Sequence, residues 1–126
     1  MKFLSLATLL MLGACAHDMA LMTRDETLHA YGAAIRWGSF DAATRFQSPR
    51  AYRRPLADSK REVKVSGYHV ITQAVDKEHL TLTQTVEIHY YRDGDLVEHT
   101  TMDEQLWHYD EEAREWRIDT PLPQFP

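Results

Sequence analysis

Beyond Glu62 the apolar residues of this chain recur at every second position, in four runs rich in Val, Ile, Thr, Tyr and Trp. A period of two marks strands that bury one face and expose the other. Turn chemistry separates the runs: Asp76-Lys77-Glu78, then Asp93-Gly94, then Asp110-Glu111-Glu112-Ala113. Connections this short can join only antiparallel neighbours, so the pattern predicts a four-stranded antiparallel meander.

Asp-Gly between alternating runs is a strong hairpin signal and predicts a register. A two-residue turn at Asp93-Gly94 sets Tyr90 opposite Val97, Ile88 opposite His99, Val86 opposite Thr101, Gln84 opposite Asp103 and Leu80 opposite Trp107. Leu82, Val86, Ile88 and Tyr90 then share one face with Val97 and Trp107, while Thr81, Thr83, Thr85, Glu87 and His89 take the other. A four-residue final loop pairs Tyr109 with Trp116 and Trp107 with Ile118. Pairing Val75 with Leu80 adds Val63, Val65, His69 and Ile71 to the apolar face. The sheet is expected to have one core face.

Two helices are expected to cover that face. Thr23-Arg24-Asp25-Glu26 has the form of a capping box, after which Leu28, Tyr31, Ala34 and Ile35 recur at helical spacing. Gly38 stops this helix, and Ser39 can cap a shorter one through Phe40, Ala42, Ala43 and Phe46, ended at Ser48-Pro49. From Gln47 to Arg61 come Arg50, Arg53, Arg54, Lys60 and Arg61 against the single acid Asp58, a segment expected as a solvated loop. The fold class is α+β, with N-terminal helices packed on a curved four-stranded antiparallel meander.

The start of the chain carries a separate message. Met1-Lys2 leads an apolar stretch from Phe3 to Leu12, followed by Gly13-Ala14-Cys15. A basic start, a short apolar core and small residues make a secretory signal, and the apolar stretch falls short of the ~20 residues that span a bilayer. Leu12-Gly13-Ala14-Cys15 resembles the lipobox of bacterial lipoproteins, which implies cleavage after residue 14, lipidation of Cys15 and a membrane anchor. Residues 15–22 are then expected as a lipidated tether and residues 23–126 as one domain. In the same family an aspartate after the lipidated cysteine resembles an inner-membrane retention signal. Ala16 stands there instead, so the resemblance favours the outer membrane, facing the periplasm. Cys15 is the sole cysteine, which excludes an intramolecular disulfide, and a net charge of -5 argues against a nucleic-acid partner.

Ala33-Ala34-Ile35-Arg36-Trp37-Gly38-Ser39-Phe40-Asp41-Ala42-Ala43 and Trp116-Arg117-Ile118 resemble the first helices and last strand of the NTF2-like (cystatin-like cone) superfamily. The resemblance implies a ligand cavity between helices and sheet, with Tyr31, His69, Gln84, Asp103 and Trp107 as candidate ligand-binding residues. It also implies two functions: binding a small apolar ligand or an envelope protein without catalysis, or an isomerase- or dehydratase-type enzyme with Asp103 or His69 as base. Outer faces of such sheets often associate, so a homodimer through the sheet is a further expectation. No serine stands in a Gly-x-Ser-x-Gly elbow. The histidines do not reach metal-ligand spacing, since His79 opposite His108 supplies two ligands where zinc needs three or four. No metal and no cofactor is expected.

Overall fold

The period-two runs form the sheet they predict. In the computed structural model, which describes residues 3–51 and 62–126 with side chains from His17 onward, the strands are β1 (Val63–Asp76), β2 (Thr81–Arg92), β3 (His99–Asp110) and β4 (Glu115–Ile118). They lie antiparallel in the order β1-β2-β3-β4. Two helices precede them, α1 (Phe3–Arg36) and α2 (Phe40–Thr44). The fold class is α+β, a long helix with an open four-stranded sheet.

The last hairpin has the expected register, with Tyr109 opposite Trp116 and Trp107 opposite Ile118. The central hairpin differs by two residues: Tyr90 lies opposite His99, Val86 opposite Asp103, Gln84 opposite Gln105 and Leu82 opposite Trp107. A two-residue hairpin of the favoured type needs positive φ at both turn residues. Gly94 has φ 77, but Asp93 is not among the residues with positive φ. The turn closes from Asp95 N–H to Arg92 O at 3.0 Å, and the Asp95 carboxylate then takes the Val97 N–H at 2.9 Å, so the chain loops out before β3 begins. A slip of two preserves the faces.

Strand β1 departs further. Its register shifts between Val65 and Gly67 and again between Val70 and Thr72. Each one-residue shift exchanges the faces. Val63 and Val65 are buried as expected, but between the bulges Tyr68 turns to the core side and His69 is exposed opposite Glu87 on the outer face. Past the second bulge Gln73 faces Gln84 and Val75 faces Leu82, on the inner side again.

Helix α1 does not begin at Thr23. The Thr23 hydroxyl donates back to the carbonyls of Met19 and Ala20 at 3.1 and 3.4 Å, the bonding of a residue inside a helix. The stretch expected as an unpatterned tether is helical through Met22; it contains neither Gly nor Pro, and packing rewards its order. Ala20 is fully buried and its carbonyl accepts the Trp116 indole N–H at 2.7 Å. At the other end Gly38 (φ 74) closes the helix, with its N–H on Ile35 O and that of Ser39 on Ala34 O. Between Trp116 on β4 and Val65 on β1, whose carbonyl accepts Arg36 Nη1 at 2.6 Å, α1 crosses the sheet from one edge strand to the other.

The core lies between α1, α2 and the inner face: Tyr31, Ile35, Leu82, Val86, Ile88, Tyr90, Trp107, Trp116 and Ile118 are nearly or fully buried. The tail seals one end. Leu122 and Phe125 are buried, Phe125 packs on Phe40 and Tyr90, and Arg92 Nη2 donates to the Phe125 carbonyl. The segment with Arg53, Arg54, Lys60 and Arg61, expected as a solvated loop, and the Cys15 side chain lie outside the described residues.

Candidate functional site

A cleft of about 560 Å³ opens between α1 and β1. Its helical wall carries Asp25, Leu28, His29, Ala33, Arg36 and Trp37, and its strand wall Ser66, Tyr68, His69 and Val70; Gln73 and Gln84 line it from the sheet. Gly32 allows the walls to approach, because a Cβ there would stand 2.8 Å from Cε1 of the Tyr68 ring. Arg36 lies 4.5 Å over the Trp37 ring, which is itself 74% exposed.

Behind the cleft runs a chain of side-chain amides across three strands. Gln73 Nε2 donates to Gln84 Oε1 at 3.0 Å, and Gln84 Nε2 to Gln105 Oε1 at 2.7 Å. Gln105 Nε2 donates both to Asp103 Oδ2 at 2.8 Å and to the Tyr68 hydroxyl at 3.0 Å, while Trp107 Nε1 donates to Gln105 Oε1 at 2.9 Å. Gln105 thus uses its two N–H groups and both lone pairs, the full capacity of an amide. Gln84, Gln105 and Asp103 are 4%, 2% and 9% exposed, so the network is costly to break.

Two phenols border this network. Burial is the main cause that pushes the Tyr68 hydroxyl up to about 12, opposed by its hydrogen bond from Gln105 and aided by the Asp103 charge. Burial likewise raises Tyr31 well above the usual phenol range, with Asp103 and then Tyr68 adding to it. Both therefore stay protonated. The Tyr31 ring meets Trp107 and Phe46 edge-on, at centroid distances of 5.1 and 5.9 Å, and its buried hydroxyl has no hydrogen-bond partner among the described residues.

Of the candidate residues, Tyr31, Gln84, Asp103 and Trp107 come together on the inner face, with Gln105 as the hub. His69 lines the cleft but does not join this network. The bulge after Val65 turns it to the opposite face, where its ring meets His89 at 5.8 Å. Gln84 reaches Asp103 through Gln105 and does not face it, because of the two-residue slip. Gln73 and Tyr68 are the residues that sequence reasoning passed over. Gln73 shares its parity with Val75, which was a usable signal; Tyr68 was hidden by the bulge.

The outer face carries a second network. His89 bridges Glu87 at 2.5 Å and Glu98 at 3.0 Å, and Ser66 donates to Glu98 at 3.1 Å. Hydrogen bonding to Glu87 and Glu98 raises the His89 pKa, and accepting from His89 lowers that of Glu98. Elsewhere Ser48 Oγ donates to Asp119 Oδ1 at 2.5 Å while His108 Nδ1 meets Asp119 Oδ2 at 2.8 Å. Serine and histidine both bind the carboxylate and not each other, so this trio ties loop to sheet and activates no nucleophile. Among the described residues no three potential metal ligands converge. No protein-family model, curated protein or solved structure matches the chain.

Proposed function

We propose that this chain is a lipid-anchored envelope lipoprotein whose single NTF2-like domain binds a small, largely apolar ligand in the cleft between α1 and β1 without catalysing a reaction. The cleft itself carries the reading. Its volume lies in the range of small-molecule sites, its walls offer Leu28, Ala33, Trp37 and Val70, and its amides are held in place by the network behind them. The order of elements supports the NTF2-like kind: helices first, then a meander ending in Trp116-Arg117-Ile118 with the helices on one face.

The anchor rests on the lipobox resemblance at Cys15. In a continuous helix Cys15 precedes Ala20 by five positions, about 8 Å at 1.5 Å per residue, so the lipid would hold the domain close against the bilayer. Among the described residues no helix is long and apolar enough to cross a membrane. A periplasm-facing outer-membrane site follows from Ala16. Exposed Met102 and Leu106 on the outer face support association of two copies through the sheet, or docking of an envelope protein.

Native mass spectrometry of the protein from membranes tests both parts, with an acylated Cys15 N-terminus and a co-purifying small molecule expected. An unmodified thiol on the exported chain overturns the anchor. Ligand retention unchanged by Ala33→Trp, which fills the cleft, overturns the site. An acid–base enzyme of the isomerase or dehydratase kind is the second reading, favoured by the Tyr31 hydroxyl, which has no hydrogen-bond partner among the described residues and lies within the field of Asp103. It ranks second because neither residue lines the cleft, and His69, which does line it, stands on the side of β1 that faces His89 and joins neither of them.

A further inference from the structure

In an antiparallel sheet each residue turns its N–H and C=O to the same side, so successive residues of a strand serve its two sides in turn. Along β2 the Leu80 carbonyl takes the Tyr109 N–H, which assigns even-numbered residues to β3, and the Asp93 N–H on the Glu62 carbonyl assigns odd-numbered ones to β1. The free edge of β1 can then be read from its register. Gly67, His69, Thr72 and Ala74 stand opposite odd-numbered residues and bond to β2, whereas Val65, Tyr68, Val70, Gln73 and Val75 stand opposite even-numbered ones and face away from the sheet. The Val65 carbonyl agrees, since it accepts Arg36. Among the described residues no hydrogen bond reaches the outward main-chain groups of the other four.

Sheets guard such an edge with charge, proline, brevity or bulges. Here Val65 to Val75 contains no Lys, Arg, Asp, Glu or Pro, and every residue from His69 to Ala74 is exposed, Val70 and Ile71 by 50% and 52%. Only the bulges remain, and the second of them selects a partner. The free groups of Tyr68, Val70, Gln73 and Val75 come at intervals of two, three and two residues, an order that reads the same in both directions. The regular strand β2 meets the extra residue by leaving Ile71 unpaired. A second β1, run antiparallel, brings its own extra residue to the same point.

We propose that the β1 edge pairs antiparallel with the β1 edge of a second copy, Tyr68 opposite Val75 and Val70 opposite Gln73, about a two-fold axis between Ile71 and Thr72. The patch is self-complementary, as a two-fold contact requires. At the axis the exposed Ile71 side chains of the two copies lie side by side and give the seam an apolar centre. The pairing draws on neither the ligand reading of the cleft nor the lipid anchor, and it leaves Met102 and Leu106 on the outer face open.

The test combines sedimentation equilibrium of the full chain in density-matched detergent with main-chain hydrogen exchange followed by NMR. A dimer that dissociates on dilution is expected, in which the Tyr68, Val70, Gln73 and Val75 amides exchange at least about tenfold more slowly than in the monomer, because a bonded amide exchanges only on opening. Ile71→Lys sets like charges together at the axis and is expected to give a monomer, as is Ile71→Glu, while an equimolar mixture of the two pairs again. Exchange at His69 and Ala74, bonded to β2, reports that each variant is folded. Leu106→Lys, on the outer face, is expected to remain dimeric. A chain that stays monomeric at every concentration overturns the proposal, and so does a dimer whose four edge amides exchange as fast as in the monomer or which only Leu106→Lys dissociates. Edge amides protected equally at every concentration mean that another strand already fills the edge, and overturn it as well. The exchange comparison in the unaltered chain decides the matter even where a variant fails to fold.

Discussion

The two faces of the sheet carry two polar networks that meet back to back on β2, and they differ in the one property that sets their worth. On the inner face Gln84, Gln105 and Asp103 are buried, and the donors and acceptors of Gln105 are matched one to one. On the outer face Glu87 and His89 are half-exposed and Glu98 is exposed, joined through the His89 ring. An unpaired group in the first place loses its solvation outright, whereas one in the second is taken up by solvent. Hydrogen bonds of similar length therefore carry different weights on the two faces.

The sharpest way to break this contrast is Gln105→Leu. It removes the acceptor of two buried donors, Trp107 Nε1 and Gln84 Nε2, and a donor from Asp103. At roughly 1–3 kcal/mol for each orphaned group the loss should reach at least about 3 kcal/mol, measured by denaturant unfolding. Adding Gln84→Leu should cost less than the sum of the single variants, since the Gln84 donor is then no longer stranded. A loss under about 1 kcal/mol for Gln105→Leu would place the inner network on the same footing as a surface one.

A smaller effect is expected from Gly32→Ala. The new methyl falls 2.8 Å from Tyr68 Cε1, and the ring cannot retreat without loosening its hydroxyl from Gln105. Overpacking costs about 1–3 kcal/mol, and replacing glycine inside a helix returns about 1 kcal/mol, so a net loss near 1 kcal/mol is expected. A displaced Gln105 side-chain amide resonance identifies the cause. A stabilised variant with that resonance unmoved would mean that the helix and β1 have room to spare.

The two faces also differ in how far they can be read from the sequence. Alternation places Leu82, Val86, Ile88, Trp107, Gln84 and Asp103 on the inner side correctly, because a two-residue slip leaves parity intact. The partners across the hairpin depend on the φ of Asp93, which a dipeptide does not determine. In β1 parity itself fails. Gly67 after Ser66 is the residue type that marks a bulge inside a strand, and it was the available warning for His69. The order of the helix before Thr23 was not legible for a different reason: Ala20 is ordered by Trp116, 96 residues later in the chain. The amide chain combines both limits, since Gln73 and Gln84 meet only once the bulges have restored the register.

The outer network should yield the smallest effect, and one that depends on pH. His89 keeps its proton above its ordinary 6.5 because two carboxylates accept from its ring, so its pairing is fully present below 6.5 and is lost as pH rises through the raised value. Glu98 runs the other way. Its pKa is lowered from 4.5, chiefly by His89, so its share is present above 4.5 and is lost as acid carries the pH down through the lowered value. The pairing is therefore strongest between 4.5 and 6.5. An NMR titration of the His89 ring should give a midpoint above 6.5 that falls toward that value in Glu98→Gln and at high salt, with little change in thermal midpoint at neutral pH. A midpoint at or below 6.5 would mean that solvent already separates these groups. A large thermal loss in Glu98→Gln would instead mean that exposure does not divide the two faces, since an open ion pair would then rival the buried amides.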